Sequence, residues 1–149
     1  MLKLCNCGQI MRMELRKLVY ARKACICHVP VYACQNCSTY ELMPLVKPDL
    51  LDYINSLGDV KSQTWVSFAD IYEPVSVLRE VLSSSSDSLQ EFQQRYKAAF
   101  EDRVNMLLDL YRFAKMKDDS VWMDEIMTRL EKVNAFLQLK MENSDFCAS

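Results

Sequence analysis

Apolar and polar positions alternate along residues 9–33, which is the pattern of β-strands that bury one face. In the first part of this segment, Met11, Met13 and Leu15 alternate with charged side chains. A second stretch, residues 22–33, alternates less regularly and contains Pro30, a residue that a sheet tolerates at a bend or an edge. The pattern therefore predicts two strands that form a β-hairpin.

The rest of the chain has helical periodicity. Pro48 and Asp49 open a short predicted helix that ends near Gly58, and another is expected over residues 74–82. Two longer apolar series follow, with members three or four residues apart, and a charged turn around residues 115–119 separates them. Their members are Phe92, Tyr96, Phe100, Val104, Leu107, Tyr111 and Ala114, and then Trp122, Ile126, Leu130, Val133 and Leu137. Two long helices joined by so short a turn pack as an antiparallel αα-hairpin.

These patterns predict an α+β protein. We expect a small β-hairpin of the zinc-ribbon type over residues 1–46 and an all-α helical body over residues 47–149 that contains the αα-hairpin. Four serines at 83–86 have the composition of a flexible linker within the body. Residues 59–73 hold three aromatic side chains without a clear period, which leaves strand and helix open there.

The charge of the chain is unevenly distributed. Its formal net charge is −2, yet residues 1–49 carry +4, so the remainder is acidic. The basic side chains on and after the first predicted strand are Arg12, Arg16, Lys17, Arg22 and Lys23. Basic side chains at a hairpin tip are usually just exposed to solvent. The alternative is that they contact nucleic acid or an acidic partner. Because a dedicated nucleic-acid-binding domain is usually basic throughout, nucleic acid is the less favoured partner.

Apolar runs long enough to span a membrane are missing from the sequence, and no signal peptide is evident. We therefore expect a cytoplasmic protein without membrane contact. In a reducing cytosol, closely spaced cysteines indicate metal or redox chemistry rather than structural disulfides. Six of the seven cysteines lie between Cys5 and Cys37, and Cys147 stands apart.

Two cysteine pairs lie at the ends of the predicted hairpin. Cys5-x-Cys7 is followed by Gly8, which favours a sharp turn, and Cys34-x-x-Cys37 follows the second strand. Two such turns bring four sulfurs into one tetrahedron in a zinc ribbon. We therefore expect Cys5, Cys7, Cys34 and Cys37 to bind Zn²⁺. The role of this ion is structural, because four sulfur ligands leave no open position for water.

Three further candidate ligands lie on the second predicted strand. Cys25 and Cys27 fall on one face and His28 on the other. Buried cysteines often fill a core, which is the simplest interpretation. The first cysteine pair has one intervening residue where two are usual. It therefore stays open whether Cys25, Cys27 or His28 joins or replaces a zinc ligand, and a redox pair is a further alternative.

The N-terminal region resembles the YgiT-type zinc finger found at the head of MqsA-type antitoxins. The resemblance lies in Cys5 and Cys7 with Gly8, and in a run similar to the Val-Pro-x-x-x-Cys-x-x-Cys segment of that family. In this chain the run is Val29-Pro30-Val31-Tyr32-Ala33-Cys34-Gln35-Asn36-Cys37. The resemblance implies a ribbon with one zinc bound by four cysteines. It covers about the first third of the chain, and residues 50–149 show no helix-turn-helix signature, so the DNA-binding half of those antitoxins is not carried over.

Catalytic signatures are few. The chain has a single histidine and two glycines, which disfavours a histidine-based catalytic dyad and a glycine-rich phosphate loop. We expect a bacterial-type regulatory or adaptor protein that is not an enzyme and that binds another, unidentified protein. A homodimer through the C-terminal helices is a further option. An antitoxin-like, DNA-binding transcription regulator is the alternative function, and a thiol-redox protein is a weaker third.

Overall fold

The computed structural model describes residues 3–21, 24–58, 64–83 and 88–139. A β-sheet comes first and helices follow, which confirms the α+β class. The elements in chain order are β1 (Lys3–Leu4), β2 (Ile10–Tyr20), β3 (Ala24–Ala33), β4 (Tyr40–Leu42), α1 (Lys47–Ser56), β5 (Thr64–Ser67), α2 (Phe68–Ile71), α3 (Glu73–Ser83), α4 (Leu89–Met116) and α5 (Ser120–Leu137). One strand, β5, lies within the predicted helical body, in the stretch 59–73 whose sequence pattern left strand and helix open.

Strand β3 is the centre of the sheet. The order is β1-β2-β3-β4, all antiparallel, and β5 adds to β3 in parallel. The first half of β3 pairs with β5, as Cys25 does with Trp65, and its second half pairs with β4, as Val31 does with Leu42. Eight of its ten residues are buried. Burial on both faces explains why this segment alternates less regularly than β2. Pro30 lies between the residues paired with β5 and those paired with β4.

A β-bulge interrupts the pairing of β2 with β3. Arg16 pairs with Val29 and Leu18 with Ile26, so two residues of β3 face the single residue between them on β2. One of the two is His28, whose φ of 59° is in the left-handed region. The His28 Nδ1 atom lies 2.7 Å from the hydroxyl of Ser67, the last residue of β5. This hydrogen bond ties the bulge to the end of β5.

The described residues form two compact units. Those up to Val75 belong to the first unit, and Ser76–Leu139 form the second. The first unit therefore contains α1, α2 and β5 as well as the antiparallel strands. The predicted division at residues 46 and 47 stays a prediction about which parts fold independently.

Helices α4 and α5 form the predicted antiparallel αα-hairpin. Ring contacts join Phe113, near the end of α4, to Trp122 at the start of α5, and Phe100 to Phe136 near the end of α5. The hydroxyl of Tyr96 donates to the carbonyl oxygen of Phe136 over 2.7 Å. The residues of the two series that are fully packed are Tyr96, Phe100, Leu107, Ala114, Ile126 and Val133. None of the described helices is long and apolar enough to cross a membrane.

Candidate metal centre

The first pair of cysteines lies on a tight turn between β1 and β2. The amide of Gly8 donates to the carbonyl of Cys5 over 2.9 Å, and the amide of Cys5 donates to the carbonyl of Gln9 over 2.8 Å. Gly8 has a φ of 92°, which a residue with a Cβ rarely adopts. The glycine thus allows the chain to reverse within one residue of Cys7.

The second pair lies on the turn between β3 and β4. The amide of Cys34 donates to the carbonyl of Thr39 over 2.8 Å, which closes the turn. Ser38 takes the left-handed conformation there, with a φ of 59°. Cys34 follows directly on the buried strand β3 and is itself buried, whereas Cys37 is exposed.

Antiparallel pairing of β2 with β3 brings the two turns to the same end of the sheet. The Sγ atoms of Cys5 and Cys37 are 3.5 Å apart, and those of Cys7 and Cys34 are 3.6 Å apart. All four sulfurs lie within 4.8 Å of one another. A tetrahedral ion with metal–sulfur distances of about 2.3 Å needs sulfur–sulfur distances of about 3.8 Å. The four cysteines are therefore close enough together to bind one metal ion.

Hydrogen-bond donors stabilise the thiolate form of the two exposed cysteines. The Thr39 hydroxyl, 3.0 Å from the sulfur of Cys37, and the Thr39 amide lower the pKa of Cys37 to about 6. The amide of Gln9 lowers the pKa of Cys7, and the Asn36 side chain adds to this by donating to the same sulfur over 3.6 Å. Each turn thus favours the thiolate of its exposed cysteine, and that of Cys37 is present at neutral pH.

Cys5 behaves in the opposite way. The amide of Cys7 lowers its pKa, but burial and hydrogen bonds with the neighbouring thiols outweigh that effect and raise the pKa to about 12. A thiol among thiolates keeps its proton, because further negative charge in the cluster is unfavourable. All four sulfurs can become anionic together only when a cation compensates their charge.

The other candidate ligands lie outside this cluster. Within the described ranges, only Cys5, Cys7, Cys34 and Cys37 form a group of three or more potential ligands that lie this close. His28 bonds to Ser67 instead. Burial raises the pKa of Cys27, and the adjacent thiol of Cys25 adds to the increase. These two thiols form a separate pair, and Cys147 is outside the described residues.

Five basic side chains lie on and after the first predicted strand. The structure describes three of them, and all three are exposed on β2. Arg16 donates to the carboxylate of Glu14 over 2.9 and 3.0 Å, and its guanidinium lies 5.2 Å from the ring centre of Tyr40. The ammonium of Lys17 lies 4.5 Å from the ring centre of Trp65. The third is Arg12, and Arg22 and Lys23 lie outside the described residues.

The side-chain donors to the sulfurs, Asn36 and Thr39, were not among the residues predicted from the sequence. The sequence signal for them is a polar residue directly before Cys37, and a second polar residue at the second position after it. No protein-family model matches the chain, and no curated protein or solved structure matches it significantly.

Proposed function

We propose that Cys5, Cys7, Cys34 and Cys37 bind one structural Zn²⁺. The observation that carries this proposal is the four-sulfur cluster, with spacing that suits a tetrahedral ion. Thiolates are ligands that zinc prefers, and four of them complete its tetrahedron without a position for substrate or water. The ion would link the β1–β2 turn to the β3–β4 turn and stabilise the end of the sheet. The resemblance to the YgiT-type zinc finger supports the same ligand set.

On this proposal, the protein is a regulatory or adaptor protein that acts by binding another protein, not an enzyme. Support comes from large apolar side chains that are exposed in each of the two units. Trp65 is 69 % exposed on the sheet, and Met116 and Val121 are exposed on the αα-hairpin. Exposed tryptophan and methionine are typical of binding surfaces. Reduced thiol ligands would suit a cytoplasmic location.

Metal analysis tests the first part of the proposal. Protein purified under reducing conditions, without added metal, should contain one zinc per chain. The variants Cys34→Ser and Cys37→Ser should lose most of it. Cys27→Ser is the matched control, because its thiol lies outside the cluster and zinc content should not change. Zinc-free wild-type protein, or equal loss in the control, would overturn the proposed ligand set.

Binding measurements distinguish the proposed adaptor from the alternative DNA-binding regulator. The DNA-binding function requires a shift of duplex DNA whose affinity falls steeply with salt. The adaptor function requires no such shift. Duplex binding that weakens strongly between low and physiological salt would therefore replace the adaptor proposal with its alternative.

A further inference from the structure

The outer edge of β2 is the longest unpaired stretch of strand among the described residues. β2 has 11 residues, but β1 pairs only with Ile10 and Met11. From Arg12 to Tyr20, no other strand in the part of the chain that the structure describes pairs with this edge. Edge N–H and C=O groups of this kind are a template for an added strand.

The side chains along this edge are basic. Arg12, Arg16 and Lys17 are exposed, and the single acid among them, Glu14, is already bonded to Arg16. The edge is therefore positive on a chain whose formal net charge is −2. An acidic segment is the complementary partner.

The end of the same strand is apolar and exposed. Leu18 is 37 %, Val19 60 % and Tyr20 40 % exposed, although a strand of this kind usually buries one face. Trp65 lies on the same face of the sheet as Val19, since both pair directly with Cys25 of β3, and it is also exposed. An uncovered apolar edge of this length normally promotes aggregation unless something covers it.

We propose that the edge of β2 from Arg12 to Tyr20 binds an extended acidic segment of another protein as an added antiparallel strand. This proposal rests on the proposed adaptor function and names the chemistry of the partner. Arg12 and Arg16 lie on one face of β2, and Lys17 lies on the other. Read from its N-terminus, the added strand therefore begins with three apolar residues opposite Leu18–Tyr20. Two consecutive acids follow opposite Lys17 and Arg16, and a third acid, four residues after the second, lies opposite Arg12.

Two other occupants fit the edge less well. Nucleic acid makes no use of the unpaired N–H and C=O groups of a strand edge. A second copy of the chain would bring two positively charged edges together, which is unfavourable between neighbouring strands.

Selection from a displayed library of random nonapeptides tests the proposal on the full chain. The expected result is enrichment of peptides with apolar residues followed by the acidic pattern. The double variant Arg12→Glu/Arg16→Glu should bind the selected peptide at least about tenfold more weakly. The matched control is Lys97→Glu/Arg112→Glu, which changes the net charge equally at two exposed positions on α4 and should bind as the wild type does.

A second measurement uses the wild-type protein alone. The selected peptide is resynthesised in two versions, or phases. One carries N-methyl groups on its odd-numbered amides and the other on its even-numbered amides. One phase should abolish binding and the other should retain it, because alternate amides of an added strand face β2. Enrichment of peptides without acids, no enrichment, equal binding in both phases, or preferential binding of an oligonucleotide would each overturn the proposal. If the protein contains zinc but shows one of these results, the proposed metal site stands and this inference alone fails.

Discussion

At the scale of single residues, Cys7 and Cys37 differ from Cys5 in their surroundings and therefore in the direction of their pKa shifts. Thr39 lowers the pKa of Cys37, and the Gln9 amide together with the Asn36 side chain lowers that of Cys7. Cys5 is buried among the other thiols, and its pKa rises to about 12. Metal binding must remove the proton from Cys5, so it is linked to pH.

This linkage predicts the pH at which the metal dissociates. The pKa of Cys37 is lowered from 9.0 to about 6 without a metal, and a bound cation lowers the pKa further. Cys37 is therefore a thiolate at pH 7. Zinc affinity should fall as the pH is lowered, because Cys5 must lose its proton to the metal, and most steeply below about pH 6, where Cys37 takes up a proton as well; release should therefore centre there. Release of zinc to a chelating dye across a pH series measures the midpoint.

Thr39→Val supplies the control for this prediction. The change removes the hydroxyl next to Cys37 and keeps the amide, so the pKa of Cys37 rises and metal release should begin at a higher pH. A midpoint that does not move, or one above pH 7 in the wild type, would contradict the linkage.

At the scale of elements, the turn at Gly8 holds the first pair of the four-cysteine cluster, and we expect metal binding to depend on it. A Cβ at Gly8 would contact nothing within 4 Å, so Gly8→Ala introduces backbone strain without a steric clash. Its φ of 92° lies further from the left-handed helical minimum than the 59° of Gly58. We expect Gly8→Ala to cost about 1–3 kcal/mol and to weaken zinc binding.

Gly58→Ala is the matched control for the turn. Gly58 follows α1, far along the chain from the cysteines, and an added Cβ is equally free there. This variant should cost about 1 kcal/mol and leave zinc affinity unchanged. Competition with a zinc chelator measures the affinities, and an equal loss in both variants would show that the turn has no special role.

The αα-hairpin offers a test between adjacent residues. Leu107 is fully buried, and Leu108 is 36 % exposed on the same turn of α4. Leu107→Ala should lower the free energy of unfolding by about 2–5 kcal/mol, because it removes a packed side chain and leaves a cavity. Leu108→Ala should cost less than about 1 kcal/mol. Urea denaturation followed by circular dichroism measures both, and equal losses would contradict the described packing.

Local sequence explains some of these elements and not others. The αα-hairpin was predictable because its apolar period repeats over many turns and Asp119 caps α5 by accepting from the amide of Trp122. β5 was not predictable, because four residues are too few to show a clear alternation of apolar and polar positions. The strand depends instead on pairing with β3, some 40 positions earlier in the chain. The bulge at His28 likewise depends on contacts with Ser67, distant in sequence. The four clustered cysteines were predictable because their spacing places two pairs at the same end of a hairpin, but their donors were not.

At the scale of the whole molecule, the two units differ in what can stabilise them. The first unit contains the four-cysteine cluster, and the second contains the αα-hairpin with its continuous apolar seam. A small sheet closed by turns gains much of its stability from a bound metal, on the order of 10 kcal/mol in zinc-finger peptides. The second unit has no member of the cluster, so we expect its stability not to depend on a bound ion.

Removal of the metal should therefore destabilise one unit selectively. After chelation under reducing conditions, hydrogen exchange should become faster in peptides that cover β1 to β4, because the two turns are no longer linked. Exchange in α4 and α5, of 28 and 18 residues, should stay slow, since their packing is between the two helices. Mass spectrometry of the exchanged peptides resolves the two regions, and zinc added back should restore the protection of the sheet. Loss of protection throughout both helices would mean that the units fold as one, and an unchanged sheet would mean that the cysteine cluster does not stabilise it.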